Sequence, residues 1–256
     1  MKRGAATTLG VLVALTTGCI IAPPYVEPPA QSTVPAPAPT LSPQQQRLLD
    51  DWADLHAYRD SNAKLQPPAA GEQRVVFYGN SITEAWAPYF ATEFPGKPYI
   101  GRGISGQTTP QLLVRFRQDV VALHPAVVVI LAGTNDIAGN TGPSSLGMIE
   151  DNLASMTEIA QANNIRVVLS SVLPVFDYPW KRGLEPAPKI AALNTWIRDY
   201  AASHHATYLD YYSALVDDRG GMRPGTSRDG VHPTAAGYAI MVPLAERAIS
   251  EALRSR

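Results

Sequence analysis

Cysteine occurs once in the 256 residues, at position 19. A single thiol forbids an internal disulfide and any zinc site built on paired cysteines. Charge is scarce as well. Asp, Glu, Lys and Arg make up 17% of the chain, against roughly 25% in an average soluble domain, and they almost cancel to a net charge of -1. No basic excess is present to hold a phosphate backbone, which argues against a nucleic-acid partner. No internal repeat is visible, and the G-x-S-x-G turn that marks one large class of serine hydrolases is missing. Apolar residues are not in short supply. They form 45% of the chain, enough for a full core, and the length suits one domain with appendages. Proline is plentiful too, with 23 copies, and its uneven spread locates the domain.

The N-terminus reads as an address. Met1-Lys2-Arg3 is a short basic start, and residues 5–17 form an apolar run with few interruptions. The run is shorter than the roughly 20 residues needed to span a bilayer and has the layout of a secretory signal peptide. Gly18, a small residue directly before Cys19, resembles the lipobox of bacterial lipoproteins. That resemblance implies a signal peptide over residues 1–18 and a lipidated Cys19 anchoring the mature chain to a membrane. It departs in one respect, because Leu15 lies four residues before the cysteine rather than three. The alternative is an ordinary signal peptide cut nearby; on either reading the protein leaves the cytoplasm. Ile20 replaces the Asp that tends to retain such lipoproteins at the inner membrane, so the expected location is the cell envelope, on the outer-membrane or periplasmic side. Eight prolines fall within residues 22–43. Such a stretch cannot pack a core, and residues 19–43 are expected to form an extended polyproline-II tether.

From Ser42 onward the pattern becomes that of a folded domain, placed at residues 44–256. Ser42-Pro43 reads as an N-cap followed by proline, and Leu48, Leu49, Trp52, Leu55 and Tyr58 recur at helical spacing. One helix is therefore expected to run to about Lys64. Strand-like and helix-like segments then alternate. Strands are expected at 74–78, 97–100, 126–131, 166–170 and 207–210, and helices at 110–123, 144–163, 188–203 and 234–253. Val127-Val128-Val129-Ile130-Leu131 is apolar on both faces, as a parallel strand covered on each side by helices must be. The expected fold class is α/β, a three-layer αβα sandwich around a parallel sheet of about five strands. Ligand chemistry in such a fold lies beyond the C-terminal ends of the strands.

Four motifs fall at those ends or in a nearby loop. Gly79-Asn80-Ser81-Ile82-Thr83 follows the first strand and offers a hydroxyl, although a serine there also suits a helix cap. Gly101-Arg102-Gly103-Ile104-Ser105-Gly106 follows the second. It fits the dinucleotide pattern G-x-G-x-x-G, but the acidic residue expected about 20 positions on is missing and Asp136 lies too far away. Gly133-Thr134-Asn135-Asp136 follows the third strand and offers an amide, or simply a turn. Asp229-Gly230-Val231-His232-Pro233 precedes the last helix, and its spacing lets a carboxylate face an imidazole N–H.

Taken together, these motifs resemble blocks I, II, III and V of the SGNH, or GDSL-type, serine hydrolase superfamily. The resemblance spans roughly residues 72–250 and looks closest to the branch near the platelet-activating-factor acetylhydrolase catalytic subunits and bacterial acetylesterases. It implies a flavodoxin-like fold, Ser81 as nucleophile, His232 as general base and Asp229 as its orienting carboxylate. It further implies an oxyanion hole formed by the Ser81 N–H, the Gly106 N–H and the Asn135 side-chain amide. Asn80 stands where the family usually has Asp, which keeps the shape and removes a charge. No metal and no cofactor are implied. Asn80, Trp86 and the loop residues Tyr178, Trp180 and Arg182 are candidates for a substrate rim, with plain packing as the alternative. Ser61-Asn62-Ala63-Lys64 fits S-x-x-K but lacks its K-T-G partner, and His56, His124, His204 and His205 lack ligand-like neighbours in sequence.

The expected activity is that of a membrane-tethered, extracytoplasmic esterase. It would hydrolyse short acyl esters, O-acetyl groups on carbohydrate above all, through an acyl-serine. Lysophospholipase, arylesterase or acetyltransferase activity within the same fold are alternatives. A non-catalytic ligand-binding module is the second class.

Overall fold

The computed structural model describes residues 41–254; the expected signal peptide, Cys19 and nearly all of the expected tether lie outside them. Pro43, the last residue of that tether, is already the first residue of α1 (Pro43–Asp50). Ser42 caps this helix reciprocally. Its hydroxyl accepts the Gln45 N–H at 3.2 Å while Gln45 Oε1 accepts the Ser42 N–H at 2.9 Å.

The single helix expected to Lys64 is instead two, α1 and α2 (Arg59–Lys64), with turns between them. Asp51 causes the break. Its two carboxylate oxygens accept the N–H groups of Leu55 and His56 at 2.9 and 3.1 Å, so the side chain competes with the helical ladder. Asp54 then turns left-handed at φ 55°.

The remaining elements follow in alternation. They are β1 (Val75–Gly79), α3 (Ser81–Trp86), α4 (Phe90–Glu93), β2 (Tyr99–Gly103), α5 (Thr109–Asp119), β3 (Val127–Leu131), α6 (Thr134–Ile137) and α7 (Leu146–Ala162). After these come β4 (Arg166–Ser170), α8 (Pro186–Ser203), β5 (Thr207–Leu209), α9 (Tyr212–Leu215) and α10 (Ala235–Arg254). The second strand begins two residues later than expected and takes in Gly101, Arg102 and Gly103. Two glycines of the G-x-G-x-x-G match thus lie within a strand and cannot form a phosphate loop.

The five strands are all parallel, in the order β2-β1-β3-β4-β5. Alternating side chains separate two cores. Val76, Tyr78, Val128 and Ile130 pack with α5, α7 and α8, whereas Val75, Phe77, Val127 and Val129 pack with α3, α4 and α10. Every residue of β1 and β3 is buried, which is why these strands read as unbroken apolar runs. The chain leaves β1 toward β2 on one side and returns to β3 on the other. That reversal opens a crevice at the C-terminal ends of β1 and β3.

Candidate active site

Ser81 opens α3 at the edge of this crevice. The Asn80 Oδ1 accepts the Ile82 N–H at 3.1 Å, so residue 80 caps the helix and fixes where Ser81 stands. The turn nests against β2, where a Cβ on Gly103 would lie 2.2 Å from the Glu84 nitrogen and 2.6 Å from the Asn80 carbonyl. Glycine at the end of β2 is therefore a condition for seating the serine.

The Ser81 Oγ lies 2.9 Å from His232 Nε2. On the far side of the ring, His232 Nδ1 lies 2.7 Å from Asp229 Oδ2. The other oxygen, Oδ1, accepts the N–H groups of Val231 and His232 at 3.0 and 2.8 Å. Burial works to raise the Asp229 pKa, but these backbone bonds and the imidazole outweigh it and hold the carboxyl below its ordinary value. An ionised Asp229 places the ring proton on Nδ1, leaving the Nε2 lone pair facing the serine hydroxyl. Ser227 steadies the loop by donating its hydroxyl to the His232 carbonyl at 2.9 Å.

Two further turns end at the same sheet edge, since Gly79 is in register with both Gly103 and Leu131. Gly106 adopts φ +78°, a conformation L side chains rarely reach, and is exposed. Asn135 is buried, and its Nδ2 donates to the Gln107 carbonyl at 2.8 Å. A primary amide carries a second hydrogen for another acceptor.

Several supports of the Gly106 loop went unnoticed in the sequence. Glu84 accepts the Ser105 N–H at 2.7 Å, and Asn140 Nδ2 donates to the Gly106 carbonyl at 3.1 Å. Arg115 is fully buried and binds Gln107 Oε1 at 2.6 Å, Asp119 at 3.0 Å and the carbonyls of Gly79 and Arg102 at 3.0 and 2.9 Å. Its guanidinium also stacks on Tyr78. A signal was present: Arg115 and Asp119 are four residues apart on the same face as Leu112 and Phe116, an ion pair inside an apolar stripe.

The expected rim needs correction. Trp86 is 1% exposed and packs among Phe77, Phe90, Phe94 and Tyr238, because its helix turns that face inward. Asn80 is buried and occupied as the cap of α3. Tyr178 is buried as well, its hydroxyl bonded to the Thr134 carbonyl at 2.8 Å, and burial pushes its pKa up to about 12. It buttresses the Asn135 turn from behind. Arg182 is exposed and lies 3.8 Å from Asp177. Trp180 alone stands at the edge, half exposed, its ring centre 6.3 Å from that of His232.

The model of the GDSL-like Lipase/Acylhydrolase family matches residues 71–240. The chain belongs to this family. It is a carboxylic ester hydrolase with the three-layer α/β fold of the GDSL enzymes. A solved GDSL-like lipase from Bacteroides thetaiotaomicron is 47% identical, with 78% of this chain and 99% of that one covered and a TM-score of 0.76. Esterase TesA of Pseudomonas aeruginosa is 25% identical over 179 residues, which is 65% of this chain and 83% of that protein. The lipoprotein YqeF of Bacillus subtilis is 25% identical over 171 residues, 60% of this chain; the match spans 61% of that protein's length. The family match begins after α2, so the 51–56 turns lie outside it.

Those turns hold Asp51, Asp54 and His56, whose candidate ligand atoms lie within 4.8 Å of one another. His56 thus has carboxylate neighbours that its sequence context did not suggest, Asp51 at 2.6 Å and Asp54 at 3.4 Å. No helix among the described residues is long and apolar enough to cross a membrane.

Proposed function

We propose that Ser81, His232 and Asp229 form the catalytic triad of this esterase. The observation that carries the reading is the unbroken chain from the Ser81 hydroxyl through both imidazole nitrogens to the Asp229 carboxylate, at 2.9 and 2.7 Å. A serine hydroxyl is a weak nucleophile until a base takes its proton. His232 Nε2 accepts that proton as Ser81 Oγ attacks the ester carbonyl carbon, and Asp229 stabilises the resulting imidazolium. Negative charge gathers on the carbonyl oxygen, where the N–H groups of Ser81 and Gly106 and the second Asn135 hydrogen receive it. The imidazolium then protonates the departing alcohol. Water attacks the acyl-Ser81 by the same route, and the carboxylic acid leaves. No step needs a metal or an organic cofactor.

We further assign the substrate to short acyl esters, with O-acetyl groups on carbohydrate as the leading class. The chain is proposed to act in the cell envelope as a lipoprotein held through Cys19 and a proline-rich tether. The lipobox-like sequence and the similarity to a lipoprotein support that location.

Hydrolysis of 4-nitrophenyl acetate by the wild type and by Ser81→Ala tests the catalytic reading. The variant should retain only a background rate, and equal rates would remove the assignment. A series from acetate to decanoate should favour the short end. Membrane partitioning should be lost in Cys19→Ser; unchanged partitioning would refute the anchor.

A further inference from the structure

Beside the Gly106 loop lies a cleft of about 520 Å³, within the range of about 300–1,000 Å³ that holds small ligands. One wall is the loop itself, from Ile104 to Gln107, continued by Asn140 and Thr141. The opposite wall is the pair of turns between α1 and α2, with Trp52, Asp54 and His56 facing in. Neither Ser81 nor His232 lines it; Gly106, one of the proposed oxyanion-hole donors, is the residue it shares with the proposed reacting centre.

The two walls are tied together. Gln107 Nε2 donates to the Ala53 carbonyl at 2.8 Å and Gln111 Nε2 to the Trp52 carbonyl at 2.6 Å, both from buried glutamines. The cleft therefore has fixed walls on both sides.

Its lining is mixed: Ile104 and the indole of Trp52, which is 41% exposed, lie beside carboxylate, imidazole, hydroxyl and amide side chains. A fatty acyl chain would have to lie against carboxylates, and burial of polar groups without partners opposes that. An acetyl group is too small to fill the space. A sugar ring has what these walls ask for: a C–H face to lay on an indole, and hydroxyls for the carboxylate, imidazole and amide groups around it. The aspartates also repel an anionic ligand.

We propose that this cleft is the subsite for the alcohol portion of the ester, and that it binds a neutral sugar ring on Trp52 with its hydroxyls toward Asp54, His56 and Asn140. The proposal rests on the esterase reading above and adds the place where the carbohydrate sits. It also assigns a role to the 51–56 turns. Asp51, in shaping the break in the expected helix, would thereby place Trp52 over the cleft.

The test compares kcat/KM for 6-O-acetylglucose and for ethyl acetate, the same ester with and without a sugar ring. In Trp52→Ala the sugar-to-ethyl ratio should fall about tenfold through KM, the loss expected on removing one indole face. Trp52→Phe should recover part of the ratio. An unchanged ratio in Trp52→Ala would overturn the proposal. If the wild type cleaves ethyl acetate and 4-nitrophenyl acetate but shows no preference for the sugar ester, the subsite falls and the esterase stands. If it cleaves none of the three, the esterase reading itself fails. Quenching of tryptophan fluorescence in Ser81→Ala by 6-O-acetylglucose, lost when Trp52→Ala is added, gives a readout independent of turnover.

Discussion

Asp229 grips His232 at two points, accepting its backbone N–H at 2.8 Å with one carboxylate oxygen and facing its Nδ1 at 2.7 Å with the other. The turn and the imidazole are thus fixed by one side chain. Asp229→Asn retains one carbonyl oxygen for these two tasks. If that oxygen stays on the backbone, the new NH2 faces Nδ1 and favours the tautomer with its proton on Nε2. Loss of kcat by about 10³–10⁴ is expected, with little change in thermal stability. Steady-state kinetics on 4-nitrophenyl acetate and a melting curve check both halves.

Asn80 explains how the family's usual Asp can be replaced here. Its role is to cap α3 through Oδ1, and a carboxylate oxygen does the same. Asn80→Asp should keep the melting temperature and bring kcat within a fewfold of the wild type. Asn80→Ala removes the cap, and a loss of about 0.5–2 kcal/mol in urea unfolding is expected. Because Ser81 follows the cap directly, kcat should fall in the alanine variant at temperatures where it is still fully folded.

Much of this layout was legible in the sequence because burial on both faces leaves a plain mark. The run Val127–Leu131 could be nothing but an internal parallel strand, and the four motifs mark turns at one edge. What stayed hidden depended on contacts between residues far apart in sequence. Trp86 lies only five residues after Ser81, yet six-residue α3 turns its ring into a cluster with Phe94 and Tyr238. The helix break at Asp51 comes from one side chain capturing two N–H groups, which periodicity cannot register. For Arg115 the pairing with Asp119 four residues on was legible, but its bonds to the Gly79 and Arg102 carbonyls were not.

That arginine supplies a further prediction. Arg115 and Asp119 are both 0% exposed and 3.0 Å apart. Arg115→Met leaves a buried carboxylate whose remaining side-chain partner is Asn62 Nδ2 at 2.7 Å, and takes one donor from each of the Gly79 and Arg102 carbonyls. Breaking one side of such a pair costs about 3–5 kcal/mol. Arg115→Met/Asp119→Leu should recover part of that loss, because the orphaned charge goes with the second change. Urea unfolding of the two variants decides it; a double variant no more stable than the single would show that the stranded carboxylate is not what destabilises.

Asp136 makes the last prediction, through pH. It is 1% exposed beside Asn135, and burial raises its pKa to about 6 although Thr109 donates to it from both N–H and Oγ1. In the unfolded chain the group titrates near 3.8. Between these values the folded protein holds a proton that the unfolded chain has released. Stability contributed by this residue is therefore present below about pH 4, declines as pH rises through 6, and is level above about pH 7. Asp136→Asn cannot titrate. Its stability relative to the wild type should rise from pH 4 through 6 and hold constant above about pH 7, whatever the offset from the altered hydrogen bonds. Urea midpoints of both proteins across that range measure the difference directly. A gap that does not change with pH would mean that Asp136 stays ionised in the fold, with the two Thr109 bonds outweighing its burial.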